Sequence, residues 1–218
     1  KTNIAQFGGD PDNVMVCGES GGGYKTSILY GMPAAAPYFN KASIESGPGL
    51  RVNSLETAAM VAELTLKELG IAKHDWRKLF EVPAEQLLTL QGQMNNFLQG
   101  KALKKGERFG FAPVVDQVSI LAHPFVPAAP ALSKEKPVMV GWNADEYIFF
   151  LMTGGNLEPL KLGAKEDKRV VELLRPQYGA HAEEIVRTYR RCRPEATASE
   201  LYVAITSIAM MGLGSIEI

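Results

Sequence analysis

Apolar residues in this chain gather in two rhythms, short continuous runs and helical stripes. Val14 to Cys17 is a continuous apolar run held between "DPDN", which is turn chemistry, and the glycine-rich "GESGGG". Such a run predicts a strand buried on both faces, with Cys17 as a small buried hydrophobe. Upstream, "TNIAQFGG" reads as the end of a helix stopped at Gly8-Gly9. After the glycines, "YKTSILYGM" has helical spacing that stops near Gly31 and Pro33, and "KASIESG", Lys41 to Gly47, predicts a second strand.

Longer helical stripes follow. Leu55, Ala59, Ala62, Leu66 and Leu69 recur at helical spacing, with Asn53-x-x-Glu56 as a predicted capping box and Gly70 as the stop. A second helix starts near Pro83, a favoured first-turn residue, and runs through Leu87, Leu90, Met94 and Phe97 to Gly100. "FAPVVD" and "PVMVGWN" are further short apolar runs around Val114-Val115 and Val138-Val140, joined by the Pro-rich "AHPFVPAAPALSKEKP". In the tail, "DKRVVELL" is expected to end at Pro176, "AEEIVRTYRR" follows, and Thr197-x-x-Glu200 caps a helix running to Met211. Strands interleaved with helices predict an α/β domain with a mostly parallel sheet, spanning residues 1–218 as one domain or part of one.

Composition narrows the partners. The 218 residues are 46% hydrophobic and 22% charged with a net charge of -1, which is globular composition with ample material for a core. The most basic stretch, "KALKKGER" from Lys101 to Arg108, has no aromatic stacking platform after it and reads as a solvated loop, so neither nucleic acid nor an anionic membrane surface is expected as a partner. The two cysteines, Cys17 and Cys192, make no disulfide framework or zinc spacing. No apolar run is expected to be long enough to span a membrane. The chain opens at Lys1 without Met and ends on "GLGSIEI", and both ends read as cuts through a longer protein.

The glycine-rich turn admits two chemistries. A phosphate-binding loop needs Gly, four residues, then Gly-Lys-Ser/Thr. Gly18 and Gly23 have that separation, but Tyr24 follows, so Lys25 and Thr26 arrive one position late. On a helix that slip turns both side chains by about 100°. The dinucleotide pattern counted from Gly21 fails as well, at Thr26. Gly18-Glu19-Ser20-Gly21-Gly22, by contrast, matches the Gly-x-Ser-x-Gly nucleophile elbow in full, after a predicted strand and before a predicted helix. In such an elbow Ser20 sits at the tip of a strained turn with its Oγ presented to substrate, and the N–H of Gly21 faces the oxyanion of a tetrahedral intermediate. A glycine-rich turn made for packing alone is the competing reading.

The flanking residues carry a resemblance. "NIAQFGGDPDNVMVCGESGGG" resembles the type-B carboxylesterases, the cholinesterase-like branch of the α/β-hydrolases, and most of all their bacterial, para-nitrobenzyl esterase-type members. "FNKASIESGPGLR" is similar to the family segment after the elbow helix, "FAPVVD" to the strand before its Pro-rich connection, and "PVMVGWNADEYIFF" to the strand and loop that deliver the triad acid. The likeness covers at least Lys1 to Phe150. It implies an α/β-hydrolase fold, incomplete at both ends, with a mostly parallel sheet and flanking helices. It further implies Ser20 as nucleophile, Glu146 as the acid with Asp145 as the neighbour that could be mistaken for it, and Glu19 and Ser46 as residues bordering the site. Two positions depart from the family pattern: Gly21 replaces the usual alanine, and Tyr147 replaces the usual glycine after the acid, where a positive φ would strain it.

A triad also needs a histidine. His74 and His123 precede Glu146 and violate the Ser…Glu…His order, and His181 lies in a helix start rather than a loop after a strand. The family's upstream oxyanion loop is not recognisable. The resemblance therefore implies a serine carboxylic-ester hydrolase working through an acyl-enzyme on Ser20, with a small-molecule ester as substrate and no metal or organic cofactor, and with little activity expected of the 218 residues alone. The alternative is a non-catalytic cholinesterase-like binding or adhesion domain.

Overall fold

Three short strands and eight α-helices follow one another in α/β order in a computed structural model, which describes residues 1–97, 103, 106–108 and 110–218. The predicted end of the second long helix, 98–100, and most of the basic stretch Lys101 to Arg108 lie outside the described residues. The strands are β1 (Met15–Glu19), β2 (Lys41–Glu45) and β3 (Val138–Gly141), hydrogen-bonded in the order β1-β2-β3 in a parallel sheet. Central β2 is the buried strand, with Ala42, Ser43 and Ile44 all inside. In this three-stranded sheet the two faces of β1 are unequally covered, so its burial alternates: Met15 is 49% exposed, and Cys17 is exposed rather than buried as its apolar run predicts. The apolar run at Val114-Val115 forms only an isolated bridge to Asn53 and no strand.

Two compact units divide the chain. The first comprises Lys1–Val16, Tyr24–Ala42 and Gly49–Val138. It opens with a 3-10 turn, Ile4–Phe7, stopped by Gly8 in the left-handed region at φ 79°. Its helices are most of α1 (Gly21–Tyr30), α2 (Leu55–Glu68) and α3 (Ala84–Phe97). α2 is capped by Ser54, which accepts from Thr57 N–H, and not by the expected Asn53. Asn53 is spoken for: it is 2% exposed, its amide donates to Arg108 O at 2.8 Å and its carbonyl accepts from Arg108 N–H at 2.8 Å. The face α2 buries is Thr57, Val61 and Thr65 rather than the Leu/Ala stripe; Leu55, Ala59 and Ala62 are exposed. The threonines tolerate burial because Thr65 Oγ1 donates to Val61 O and Thr57 Oγ1 to Glu107. Val61 packs with Leu90 and Met94 of α3.

The second unit comprises Cys17–Gly23, Ser43–Pro48 and Met139–Ile218. Its core joins Leu151 of α4 (Glu146–Thr153), Val170 and Leu174 of α5 (Asp167–Tyr178), Val186 of α6 (Ala182–Cys192) and Tyr202, Val203 and Ile205 of α7 (Ala198–Ser207). Pro176 does not end α5, which carries on to Tyr178 and stops at Gly179 with φ 55°. So late in a helix a proline removes one hydrogen bond and leaves little helix behind it to disrupt. Thr197 and Glu200 form the expected capping box on α7. That helix passes through a π-helical turn, Ile208–Gly212, into α8 (Leu213–Ile216). The combined segment, Ala198–Ile216, is 19 residues long and its most apolar 18-residue window has mean hydropathy 1.3, so by length and composition alone it could cross a membrane, where the sequence led to no such expectation. Half of it is buried within the structure, as a core helix would be.

Candidate active site

β1 ends at Glu19, α1 begins at Gly21, and Ser20 turns the chain between them at φ 54°. The left-handed region costs an L-residue about 1–2 kcal/mol. The turn is held by the sheet, since Ser20 N–H donates to Glu45 O at 2.8 Å. Glycines flank it for steric reasons. A Cβ on Gly18 would fall 2.2 Å from the carbonyl carbon of Gly22, and one on Gly23 would fall 2.8 Å from Glu45 O. Gly21 meets nothing within 4 Å and keeps an ordinary φ, so this position does not require glycine. The Ser20 side chain is exposed and makes no hydrogen bond among the described residues. Gly21 opens α1, where helix geometry leaves backbone N–H groups without intrahelical partners.

The next strand ends the same way. Ser46 follows β2 at φ 48°, is 4% exposed, and its N–H donates to Gly141 O of β3 at 2.8 Å. Its hydroxyl donates to Oε1 of Glu146. Glu146 is the first residue of α4 and half-buried. The same oxygen accepts from Asn143 N–H at 2.8 Å and from Asn143 Nδ2 at 3.3 Å. The neighbouring Asp145 sits exposed at the N-cap and makes no capping hydrogen bond. The structure thus brings Ser46 and Glu146 together and leaves Asp145 in solvent. Glu19 ends β1 exposed, and its carboxylate has no partner among the described residues.

Tyr147 is helical, in α4, and is not among the residues with positive φ, so tyrosine in place of the family's glycine carries no backbone strain here. Its N–H donates to Ser207 Oγ at 3.0 Å, and its ring meets Tyr202 edge-on at 6.0 Å. Trp142 packs on the π turn, where a Cβ on Gly212 would come 3.0 Å from its indole. Sequence reasoning missed Asn143, Ser207 and Trp142. Asn143 lies three residues before Glu146, so only its closeness to the acid could have marked it, and the other two meet their partners through contacts 60 or more residues apart.

None of the three histidines bonds Glu146. His74 is exposed beside Asp75 at 3.8 Å. His123, in the first unit, accepts from Val52 N–H at 3.4 Å, and burial, helped by the Arg51 charge, holds it below the usual imidazole range. His181 is exposed at the start of α6 and caps nothing with its side chain. Among the described residues no three His, Cys, Asp or Glu side chains gather as metal ligands.

A carboxylesterase family model matches residues 1–206. The para-nitrobenzyl esterase of Bacillus subtilis is 37% identical over 153 residues, covering 69% of this chain and 30% of that protein. The phenmedipham hydrolase of Pseudarthrobacter oxydans is 29% identical over 182 residues, covering 83% of this chain and 34% of that protein. The crystal structure of a Geobacillus stearothermophilus carboxylesterase superposes with a TM-score of 0.68 at 29% identity, covering 98% of this chain and 42% of that one. The chain therefore spans 30% to 34% of the length of these two curated relatives.

Proposed function

This chain belongs to the carboxylesterase family and has its α/β-hydrolase fold, and on that premise we propose that it carries the nucleophile and acid of a serine carboxylic-ester hydrolase. The observation that carries the reading is Ser20 itself, left-handed at the end of β1 with α1 starting behind it. Ser20 Oγ attacks the ester carbonyl of a small-molecule substrate and gives its proton to a histidine base. The tetrahedral oxyanion is held by backbone donors that include Gly21 N–H. Collapse expels the alcohol, which takes the proton back, and leaves an acyl-serine. Water, deprotonated by the same base, then releases the acid and restores Ser20.

Glu146, fixed by Ser46 and Asn143, orients and stabilises that base as imidazolium. With no histidine bonded to Glu146 among the described residues, the 218-residue chain alone is expected to turn over little ester. The test is p-nitrophenyl ester turnover by this chain and by the whole open reading frame that encodes it, each beside its Ser20→Ala variant. Turnover by the whole that vanishes in Ser20→Ala, with little from the chain, supports the reading. Ser20-dependent turnover by the chain alone would bring His181 back as the base. No Ser20-dependent turnover in either would favour a non-catalytic binding domain.

A further inference from the structure

We infer that Ser207, which no sequence motif marks, is a positioning residue for the Glu146 carboxylate; the inference rests on the reading of Glu146 as the triad acid. The first turn of a helix exposes N–H groups that have no intrahelical acceptor, and a buried one left unpaired is costly. In α4 the residue placed to cap this turn, Asp145, makes no side-chain bond, and Ile148 N–H turns back to Asp145 O. The N–H of Tyr147, next to the acid, goes instead to Ser207 Oγ at 3.0 Å.

Ser207 is 1% exposed, at the last position of α7, where the helix widens into the π turn. Its neighbours fix its place, because Tyr202 five residues earlier holds the Tyr147 ring and Gly212 in the π turn seats Trp142. Glu146 is therefore gripped from both sides. Asn143 and Ser46 hold its carboxylate, and Ser207 holds the backbone that directs it. Where the family places glycine after the acid, this chain has a tyrosine whose backbone and ring are both tied to α7.

The experiment is amide hydrogen exchange by NMR on the 218-residue chain, with Ser207→Ala and Ser207→Thr. The Tyr147 amide reports the bond to Ser207, the Asn143 amide reports where the Glu146 carboxylate lies, and Leu174 and Val186 report the core. In Ser207→Ala, Tyr147 and Asn143 are expected to exchange about fivefold to tenfold faster with Leu174 and Val186 unchanged, and Ser207→Thr, which keeps the acceptor, restores both. Faster exchange at Tyr147 with Asn143 unchanged overturns the inference, because Ser207 then caps α4 without placing the acid. Unchanged exchange at both overturns it too. If Ser207→Ala loosens the core, Ser207→Thr decides: protection at Tyr147 and Asn143 upholds the inference and loss at either overturns it. In the whole esterase, Ser207→Ala is expected to lower kcat about tenfold with KM unchanged, and Ser207→Thr to recover it. Loss of the esterase reading shows in the Ser20→Ala comparison, whereas loss of the Ser207 inference shows in exchange, which needs no turnover.

Discussion

Ser46 donates its hydroxyl to the carboxylate of Glu146 across 100 residues of sequence. The bond links the end of β2 to the start of α4, and Ser46 N–H ties the same point to Gly141 of β3. Under the proposed reading of Glu146 as the triad acid, a carboxylate held this way has little freedom to turn from its base. Ser46→Ala removes one donor to a charged acceptor, a loss of about 1.5–3 kcal/mol. In the whole protein, under the proposed esterase reading, this predicts a kcat lower by about 10-fold to 150-fold with KM little changed, read on p-nitrophenyl acetate. Ser46→Gly, which suits φ 48° without strain, should lose as much kcat yet be the more stable of the two variants.

The elbow glycines should respond in opposite ways. Gly18→Ala drives a Cβ into the Gly22 backbone, where no flexible side chain can yield, and is expected to cost about 3 kcal/mol or more and to disorder the turn. Gly21→Ala meets open space at ordinary φ and reduces the freedom of the unfolded chain, so it should stabilise by about 0.4–1 kcal/mol. Thermal unfolding followed by circular dichroism separates them, with Gly21→Ala raising the midpoint by about 1–4 °C.

Arg190 grips Asp167 with two bonds, Nε at 3.0 Å and NH2 at 2.6 Å, and also reaches carbonyls that follow α6. The bonds from Arg190 hold the Asp167 carboxyl below the usual carboxylate range. A depressed folded-state pKa means stability that is full above the unfolded value, about 3.9, and lost as pH falls through the folded one. Arg190→Ala is expected to cost about 1–2 kcal/mol at pH 7, a figure reduced for partial exposure, with the penalty shrinking below about pH 4. Urea unfolding at pH 7 and pH 3 measures both.

Asp116 accepts at one oxygen from the N–H groups of Ile120, Val118 and Ser119. Those amides lower its pKa to about 2. Carboxyl NMR should therefore show Asp116 titrating near 2, and the loop from 116 to 120 should loosen as pH falls from about 4 toward 2. Asp116→Asn removes that pH dependence; a normal titration in the parent chain would count against it.

The elbow and the α7 capping box were legible because their determinants are neighbours in the chain. Ser20 turns left-handed where Gly-x-Ser-x-Gly demands, and Thr197 and Glu200 reach one another across a single turn. Reading failed where a distant partner intervened. Asn53 looks like a cap from its own neighbourhood, but Arg108 engages it across 55 residues and Ser54 takes over. Cys17 looks buried by its run of neighbours, yet it shares with Met15 and Glu19 the exposed face of β1, and what covers a strand face is set by distant parts of the chain. Tyr147 looked strained only under the assumption that its position is a loop, whereas it belongs to a helix docked on α7.

The left-handed turns at Ser20 and Ser46 also bias what can replace these serines. Glycine, asparagine and aspartate enter that conformation at low cost, whereas alanine and the branched residues do not. A lineage that abandoned the chemistry while keeping the fold would drift most cheaply to the first two. Relatives bearing glycine or asparagine at the elbow would record relaxed selection on catalysis with the architecture still under constraint, whereas aspartate would keep a nucleophile there.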